Sequence, residues 1–254
     1  MRFAKLHGLG NDFLLLDLRA GGDPLPAARA LQLCDRHRGV GGDGVLTLLP
    51  GARMLVQNAD GSVPEMCGNG ARCAALWIAT EGCTRAATAR VDLLTDAGPR
   101  PCSVEAVEPR RGLVEVDMGV AKVDPPRALS RWEAVPVSTG NPHRVIFVGG
   151  ETGALTAGVG QELCKAENAN IEFAQRTGPQ RYAVAVWERG AGLTQACGTG
   201  ACAVAAAAVA RGEAKADQAI AIDLPGGELM IRVDAQGRAR MRGPAEMVFL
   251  GELP

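Results

Sequence analysis

Short apolar runs set between glycine-rich turns make up most of this chain, and two long alanine-rich runs break that rhythm. Residues 13–18 (FLLLDL) read as a strand, entered through a turn at residues 8–12 that holds two glycines. Residues 25–38 read as a helix: Pro24 and Pro26 stand at its start, Leu31 and Cys34 fall on one face, and four glycines between positions 39 and 44 end it. Residues 45–49 and 53–58 have strand character, with a turn at 59–62. The run 71–80 is apolar on most faces and is followed by Gly82 as a stop signal, which predicts a helix enclosed by other structure. Between 90 and 117 short β-rich pieces alternate with turns near 96–99 and 109–112. Residues 122–131, with the pair Pro125-Pro126, read as a connection.

The pattern then begins again. Gly140-Asn141 precedes an apolar strand at 145–148 as Gly10-Asn11 precedes its own. A helix around Cys164 follows, then a passage at 168–173, a strand at 182–187, and an alanine-rich helix that runs to Arg211 and stops at Gly212. Asn11 and Cys67 are 56 residues apart, and so are Asn141 and Cys197, so the halves keep one spacing at an offset of 130. Cys34, Val56, Gly68, Gly70 and Gly82 meet identical residues at 164, 186, 198, 200 and 212. Such a period is far longer than a solenoid repeat and implies two similar domains facing each other.

Composition narrows the function classes. With 254 residues, 47% of them hydrophobic and 22% charged, the chain can bury a sizeable core as one large domain or two ordinary ones. A net charge of −1 gives no basic footprint, so neither nucleic acid nor an anionic membrane is an expected partner. No apolar run reaches the ~18 residues of a membrane span. Residues 1–8 lead into Gly10-Asn11-Asp12 before any long apolar stretch, so no signal peptide is expected, and the expected location is cytoplasmic. The eight cysteines then point to free, catalytic or metal-bound thiols rather than a disulfide frame. Cys67 to Cys73 and Cys197 to Cys202 are wider than the Cys-x-x-Cys of most zinc sites, and no paired histidines accompany them, so no metal is expected.

Two cysteine loops carry the candidate chemistry, EMCGNGARC at 65–73 and QACGTGAC at 195–202. In each, a cysteine is followed by Gly-x-Gly-Ala and an alanine-rich run, which sets a thiol at the mouth of a helix. The N–H groups at a helix start suit an anion such as a carboxylate, and a thiol beside that positive end is expected to have a lowered pKa. Either cysteine taken singly could equally be a small buried hydrophobe; the repetition favours chemistry. Two thiols on opposite faces of one carbon suit stereoinversion, in which one removes a proton and the other delivers one from behind. A cysteine hydrolase would need one Cys with a His base and an orienting Asn or Asp, leaving the second loop unexplained. No PLP-lysine motif or Rossmann fingerprint stands out, and no cofactor is expected. Two helix N-termini on a substrate α-carboxylate would stabilise the charge that grows as the proton leaves. Cys34 and Cys164, on helix-like faces without a glycine loop, are assigned to the core.

Residues 7–13 (HGLGNDF), 58–62 (NADGS), 66–73 (MCGNGARC), 140–143 (GNPH), 188–192 (ERGAG) and 196–200 (ACGTG) together resemble the diaminopimelate epimerase family, in order and over nearly the whole chain. The resemblance implies a PLP-independent interconversion of LL- and meso-2,6-diaminopimelate in lysine and peptidoglycan precursor biosynthesis, by a homodimer. Its catalytic cysteines fall on Cys67 and Cys197, proton donor and acceptor respectively in one direction. The reacting-end carboxylate is implied at the loop amides of Gly68, Asn69, Gly198 and Thr199, and further substrate contacts at Asn11, Asn58, Asn141, Asn170, Glu188 and Arg189. His143 and Glu188 match positions that tune the cysteines. Arg189 offers a bidentate fork for a distal carboxylate, and the asparagines donate and accept without adding charge.

The implied fold is a pair of α/β (α+β) domains, each a β-barrel-like sheet around one central helix. The first is expected over residues 1–119 with a returning C-terminal strand at 246–254, the second over 120–245. Some members carry Gln where this chain has Gly44, and Ser where it has Thr199; the latter change is neutral if only the backbone N–H binds. A proline or hydroxyproline racemase of the same fold would need no group for a second amino-acid head, which Asn58, Asn170 and Arg189 supply. A non-catalytic binding module of this fold would need no paired thiols.

Overall fold

In the computed structural model the apolar runs become strands and the alanine-rich runs become helices, giving a mixed α/β fold. Residues 1–64 and 66–253 are described, apart from the side chain of Val107. Glu65, which opens the first cysteine stretch, and Pro254, which closes the expected C-terminal strand, lie outside the described residues. The chain divides into two compact units, Met1–Val116 with Gly243–Pro254, and Asp117–Arg242.

The first unit holds β1 (Arg2–Gly8), β2 (Asn11–Asp17), α1 (Ala27–Cys34), β3 (Gly44–Leu49), β4 (Arg53–Asn58), α2 (Gly68–Ala79), β5 (Ala87–Thr95), β6 (Gly98–Glu108) and the start of β7 (Arg111–Val120). Neighbouring strands pair in sequence order, parallel for β2 with β3 and β4 with β5, antiparallel for the others. Strands β5 and β7 alternate buried and solvent-facing positions, as strands with one face on a core must. In β2 the run Phe13–Leu16 is buried throughout, because Leu14 and Leu16 pack with Ala30, Leu33 and Cys34 while α2 lies against the strand as well.

The second unit holds β8 (Lys122–Val123), β9 (Arg127–Leu129), β10 (Trp132–Ser138), β11 (Pro142–Phe147), α3 (Thr152–Glu167), β12 (Asn170–Gly178), β13 (Arg181–Glu188), β14 (Gly192–Leu193), α4 (Gly198–Ala210), β15 (Ala219–Leu224), β16 (Gly227–Val233) and the start of β17 (Arg238–Glu252). Strands β11 and β12 run parallel with His143 opposite Asn170, the counterpart of Phe13 opposite Gly44 in the first unit. The rest of β17 belongs to the first unit, where it pairs with β1 from Arg2 opposite Glu252 to His7 opposite Glu246.

Each unit is built around one enclosed helix. Helix α2 packs against β1 to β6, and α4 against β8, β10, β11, β12, β15 and β16. Every residue of α4 from Gly198 to Ala208 is buried, so it has no polar stripe at all. Alanine suits this place twice over: it has the highest helix propensity, and its small side chain lets strands approach on every side. Gly82 and Gly212 follow the two helices at φ 74° and 72°, the left-handed conformation that a glycine adopts without strain. Among the described residues, no helix is long and apolar enough to cross a membrane.

The elements depart from expectation where polar groups disguise them. Helix α1 ends at Cys34 rather than at 38, because the Asp35 carboxylate takes the N–H groups of His37 and Arg38 at 2.8 and 2.9 Å and turns the chain. Strand β1 is hidden in sequence by Lys5, which the fold buries by pairing it with Asp12 at 2.5 Å. The stretch read as a connection at 122–131 contains the short strands β8 and β9, which pair with β10. Strands β15 and β16 fall in a stretch where no element was predicted.

Arg72 has the largest side chain among the fully buried residues, inside α2, and its Nε donates to the Pro244 carbonyl at 3.0 Å. Gly8 leaves room for it, since a Cβ there would lie 2.6 Å from Nη2. Arg72 is thus a fold residue that ties α2 to the chain's return into the first unit. Its replacement by alanine should destabilise the protein by about 2–4 kcal/mol, through lost packing and unpaired buried acceptors. Urea unfolding measures this, and a shift below about 0.5 kcal/mol would contradict it.

Candidate active site

Both cysteines occupy the N-cap of an enclosed helix. The Cys67 Sγ accepts the N–H of Gly70 at 3.3 Å, and the Cys197 Sγ accepts that of Gly200 at 3.4 Å. The first intrahelical bonds follow, from Ala71 to the Cys67 carbonyl and from Ala201 to the Cys197 carbonyl, both at 2.9 Å. The amides of Gly68, Asn69, Gly198 and Thr199 therefore stand ahead of the helical ladder, where a helix offers N–H groups to an anion. Glycine is required three residues after each sulfur. A Cβ on Gly70 would lie 2.8 Å from a Leu46 methyl, and one on Gly200 would lie 2.8 Å from the Glu172 Oε1.

In the first unit a hydrogen-bonded chain leads from the surface to the Cys67 loop. Arg36 pairs with Asp12 and Asp43 at 2.6 and 2.7 Å, and Asp43 accepts from the Asn11 Nδ2 at 2.7 Å and from the Asp12 N–H at 3.0 Å. The Asn11 Oδ1 in turn accepts from the Asn69 Nδ2 at 2.9 Å, so both ends of the Asn11 amide are fixed. Burial pushes the Asp12 carboxyl up, but hydrogen bonds from Arg36 and Lys5 outweigh it and hold the group below the usual carboxylate range. Asn58 ends β4 and donates to the Ser62 Oγ at 2.9 Å, outside this chain of bonds. Gly44 cannot take the Gln of some relatives on this backbone, because its Cβ would lie 2.6 Å from the Gln57 carbonyl oxygen.

The second unit gathers more ionisable groups around its sulfur. Asn141 donates to the Thr199 Oγ1 at 3.4 Å, and that hydroxyl lies 3.4 Å from the Cys197 Sγ. The Thr199 hydroxyl thus links an asparagine to the sulfur, and the Ser of some members would keep that hydroxyl. The His143 Nδ1 lies 2.6 Å from the Glu172 Oε1, with both side chains wholly buried. Thr194 donates its hydroxyl to Glu188. Asn170 accepts the backbone N–H of Arg189 at 2.8 Å, and the Arg189 guanidinium reaches the Asn168 carbonyl at 3.4 Å from an exposed position.

The thiol at Cys197 contradicts the expectation of a lowered pKa. A helix N-terminus favours a buried anion by about 2 kcal/mol at most, whereas withdrawing a charge from water costs several. Burial comes first in raising the Cys197 pKa well above the ordinary thiol range, and the neighbouring Glu188 and Glu172 raise it further. Burial also raises the Glu188 carboxyl, against hydrogen bonds from Thr194 and Cys197. Cys73 in the same motif as Cys67 is a core thiol pushed up to about 12 by burial. Cys34 and Cys164 are likewise buried core residues.

Three residues of these networks escaped the sequence reading. Asp43 was masked by its glycine-rich surroundings. Glu172 left a visible signal, a carboxylate set between Ile171 and Phe173. Thr194 left none.

Folded as two barrel-like units with a cysteine at each helix mouth, the chain is of the isomerase class, as its relatives show. The sequence profile of the family described as diaminopimelate epimerase matches residues 3–123 and 135–248. A diaminopimelate epimerase of Synechococcus elongatus is 40% identical, covering 100% of this chain and 98% of the relative. One of Xanthomonas campestris pv. campestris is 41% identical, over 99% and 96%. This chain belongs to the diaminopimelate epimerase family. The fold is shared with solved structures of lower identity: a hydroxyproline epimerase of Agrobacterium vitis (TM-score 0.74, 16% identity, 99% of this chain and 91% of that one) and a phenazine biosynthesis protein of Bacillus anthracis (TM-score 0.77, 14%, 100% and 99%).

Because the thiolate is the form that alkylates, the raised Cys197 pKa has a measurable sign. Alkylation of Cys197 by iodoacetamide, followed by mass spectrometry, should keep climbing through pH ~8.5, the midpoint of an ordinary thiol. A plateau already reached at neutral pH would contradict the assignment.

Proposed function

We propose that this chain interconverts LL- and meso-2,6-diaminopimelate without PLP, with Cys67 and Cys197 as the two acid/base groups. The observation that carries this is the repeated device itself, a cysteine sulfur capping an enclosed helix in each unit through the N–H of a glycine three residues on. In this scheme the amides of Gly68, Asn69, Gly198 and Thr199 hold the reacting-end carboxylate, while Asn11, Asn58, Asn141, Asn170, Glu188 and Arg189 hold the rest of the substrate. The two-domain partition at 1–119 with 246–254 and 120–245, a cytoplasmic location and a homodimer belong to the same proposal.

With LL substrate, the Cys197 thiolate takes the α-proton and becomes a thiol. The electron pair left on the α-carbon delocalises into the carboxylate, where helix N–H groups stabilise it. The Cys67 thiol then gives its proton to the opposite face and becomes a thiolate, which completes the inversion. A sulfur whose pKa is raised by burial and by Glu188 and Glu172 is a stronger base once ionised, which suits a weakly acidic C–H bond. His143 and Glu188 tune the two cysteines.

The incoming proton should come from a thiol that exchanges with solvent. In deuterium oxide, meso product from the first turnover should carry deuterium at the new centre, while unreacted LL substrate stays largely unlabelled. Cys67→Ala and Cys197→Ala should each block inversion in both directions, since each direction needs an acceptor and a donor. Early meso product that retains its original hydrogen would overturn the two-base scheme.

A further inference from the structure

The two units solve one packing problem with different residues. In the first, Phe13 on β2 and Leu46 on β3 are buried, and Leu46 is the side chain that a Cβ on Gly70 would strike. In the second, 130 residues on from Phe13, stands His143 on β11, and Glu172 on β12 is what a Cβ on Gly200 would strike. The registers agree: Leu46 lies opposite Val56, and Glu172 opposite Val186. An apolar pair therefore suffices to support a cysteine-capped helix in this fold. The second unit replaces it with a buried ionisable pair, whose desolvation packing does not require.

The protonation of that pair follows from its burial. His143 and Glu172 are both fully buried, with Nδ1 and Oε1 2.6 Å apart. Three arrangements put a proton between them. Imidazolium with carboxylate, and neutral imidazole with carboxylic acid, leave the pair without net charge. Neutral imidazole donating Nδ1–H to a carboxylate leaves an uncompensated negative charge, in a place where Glu188 and the Cys197 and Cys164 thiols are the nearby acidic groups. Of the cations, Arg144 donates to the His143 carbonyl and pairs with Glu167, and Arg189 is held at the Asn168 carbonyl. Burial disfavours the charged arrangement. Both neutral ones place a hydrogen on the His143 Nε2, which has no hydrogen-bond partner among the described residues.

We propose that Glu172 is a positioning residue of the Cys197 half-site, holding His143 by Nδ1 so that its Nε2–H is fixed as a donor. A buried donor left unmatched is one held for the moment when negative charge develops. This role deepens the epimerase function proposed above and rests on it. The Glu172 carboxylate touches neither reacting atoms nor substrate in this scheme and acts through the imidazole.

Long-range proton–nitrogen NMR of the free protein tests the protonation, since His143 is the buried member of three histidines. At pH 7.5 its Nε2 should resonate as a protonated nitrogen; a bare Nε2 would overturn the proposal. Glu172→Leu removes the Nδ1 partner that fixes the ring, and should lower kcat for diaminopimelate inversion at least about tenfold, with KM changed less than about threefold. In a His143→Gln background the same substitution should change kcat less than about twofold. An equal drop in both backgrounds, or near-normal kcat in Glu172→Leu, would overturn it. Should that variant not fold, the NMR measurement on the unaltered protein decides alone. A protein that does not invert diaminopimelate refutes the function while leaving the NMR result to judge the histidine.

Discussion

Everything in this chain is subordinate to one contact, a sulfur accepting the N–H of the third residue beyond it at the start of an enclosed helix. The contact fixes the sulfur at a helix mouth and restricts the third residue to glycine in both units, since neighbouring side chains lie 2.8 Å from where a Cβ would be. It also demands that the helix be apolar and slim, because strands cover it on all sides. The alanine-rich runs answer that demand, as do the glycine stops that follow them.

Within that shared frame the units differ in electrostatics. The first joins its cysteine loop to an outward-leading hydrogen-bonded chain, Arg36 to Asp43 to Asn11 to Asn69, in which Arg36 and Asp43 pair with each other. The second buries Glu172 and His143, with Glu188 half-buried, in the same unit as Cys197 and leaves the sulfur with a raised pKa. A duplicated fold thus carries two thiols of unequal surroundings. Such inequality suits a reaction in which one sulfur begins as donor and the other as acceptor.

The frame was legible in the sequence because it rests on spacing and on small residues. Cys67 and Cys197, their glycines, and the helix stops at Gly82 and Gly212 follow from local rules and from the offset of 130. Strand β1 was less legible, because Lys5 becomes buried only once Asp12 reaches it from the neighbouring β2. The Cys197 pKa was misjudged for a related reason: the helix end is visible in sequence, whereas the carboxylates that surround the sulfur come from β12 and β13. Glu172 stood out as a charge between Ile171 and Phe173, but its partner His143 lies 29 residues away and only the parallel pairing of β11 with β12 joins them.

The central claim is that two cysteines and the surrounding amides suffice to invert the α-carbon of diaminopimelate with no added cofactor. Incubation of the reduced, purified protein with LL-diaminopimelate, followed by chiral separation of the products, tests it most directly. The account predicts meso-diaminopimelate, formed without PLP or metal in the buffer and approaching the same mixture when the reaction starts from the meso isomer. Folded, fully reduced protein that yields no meso product would contradict it.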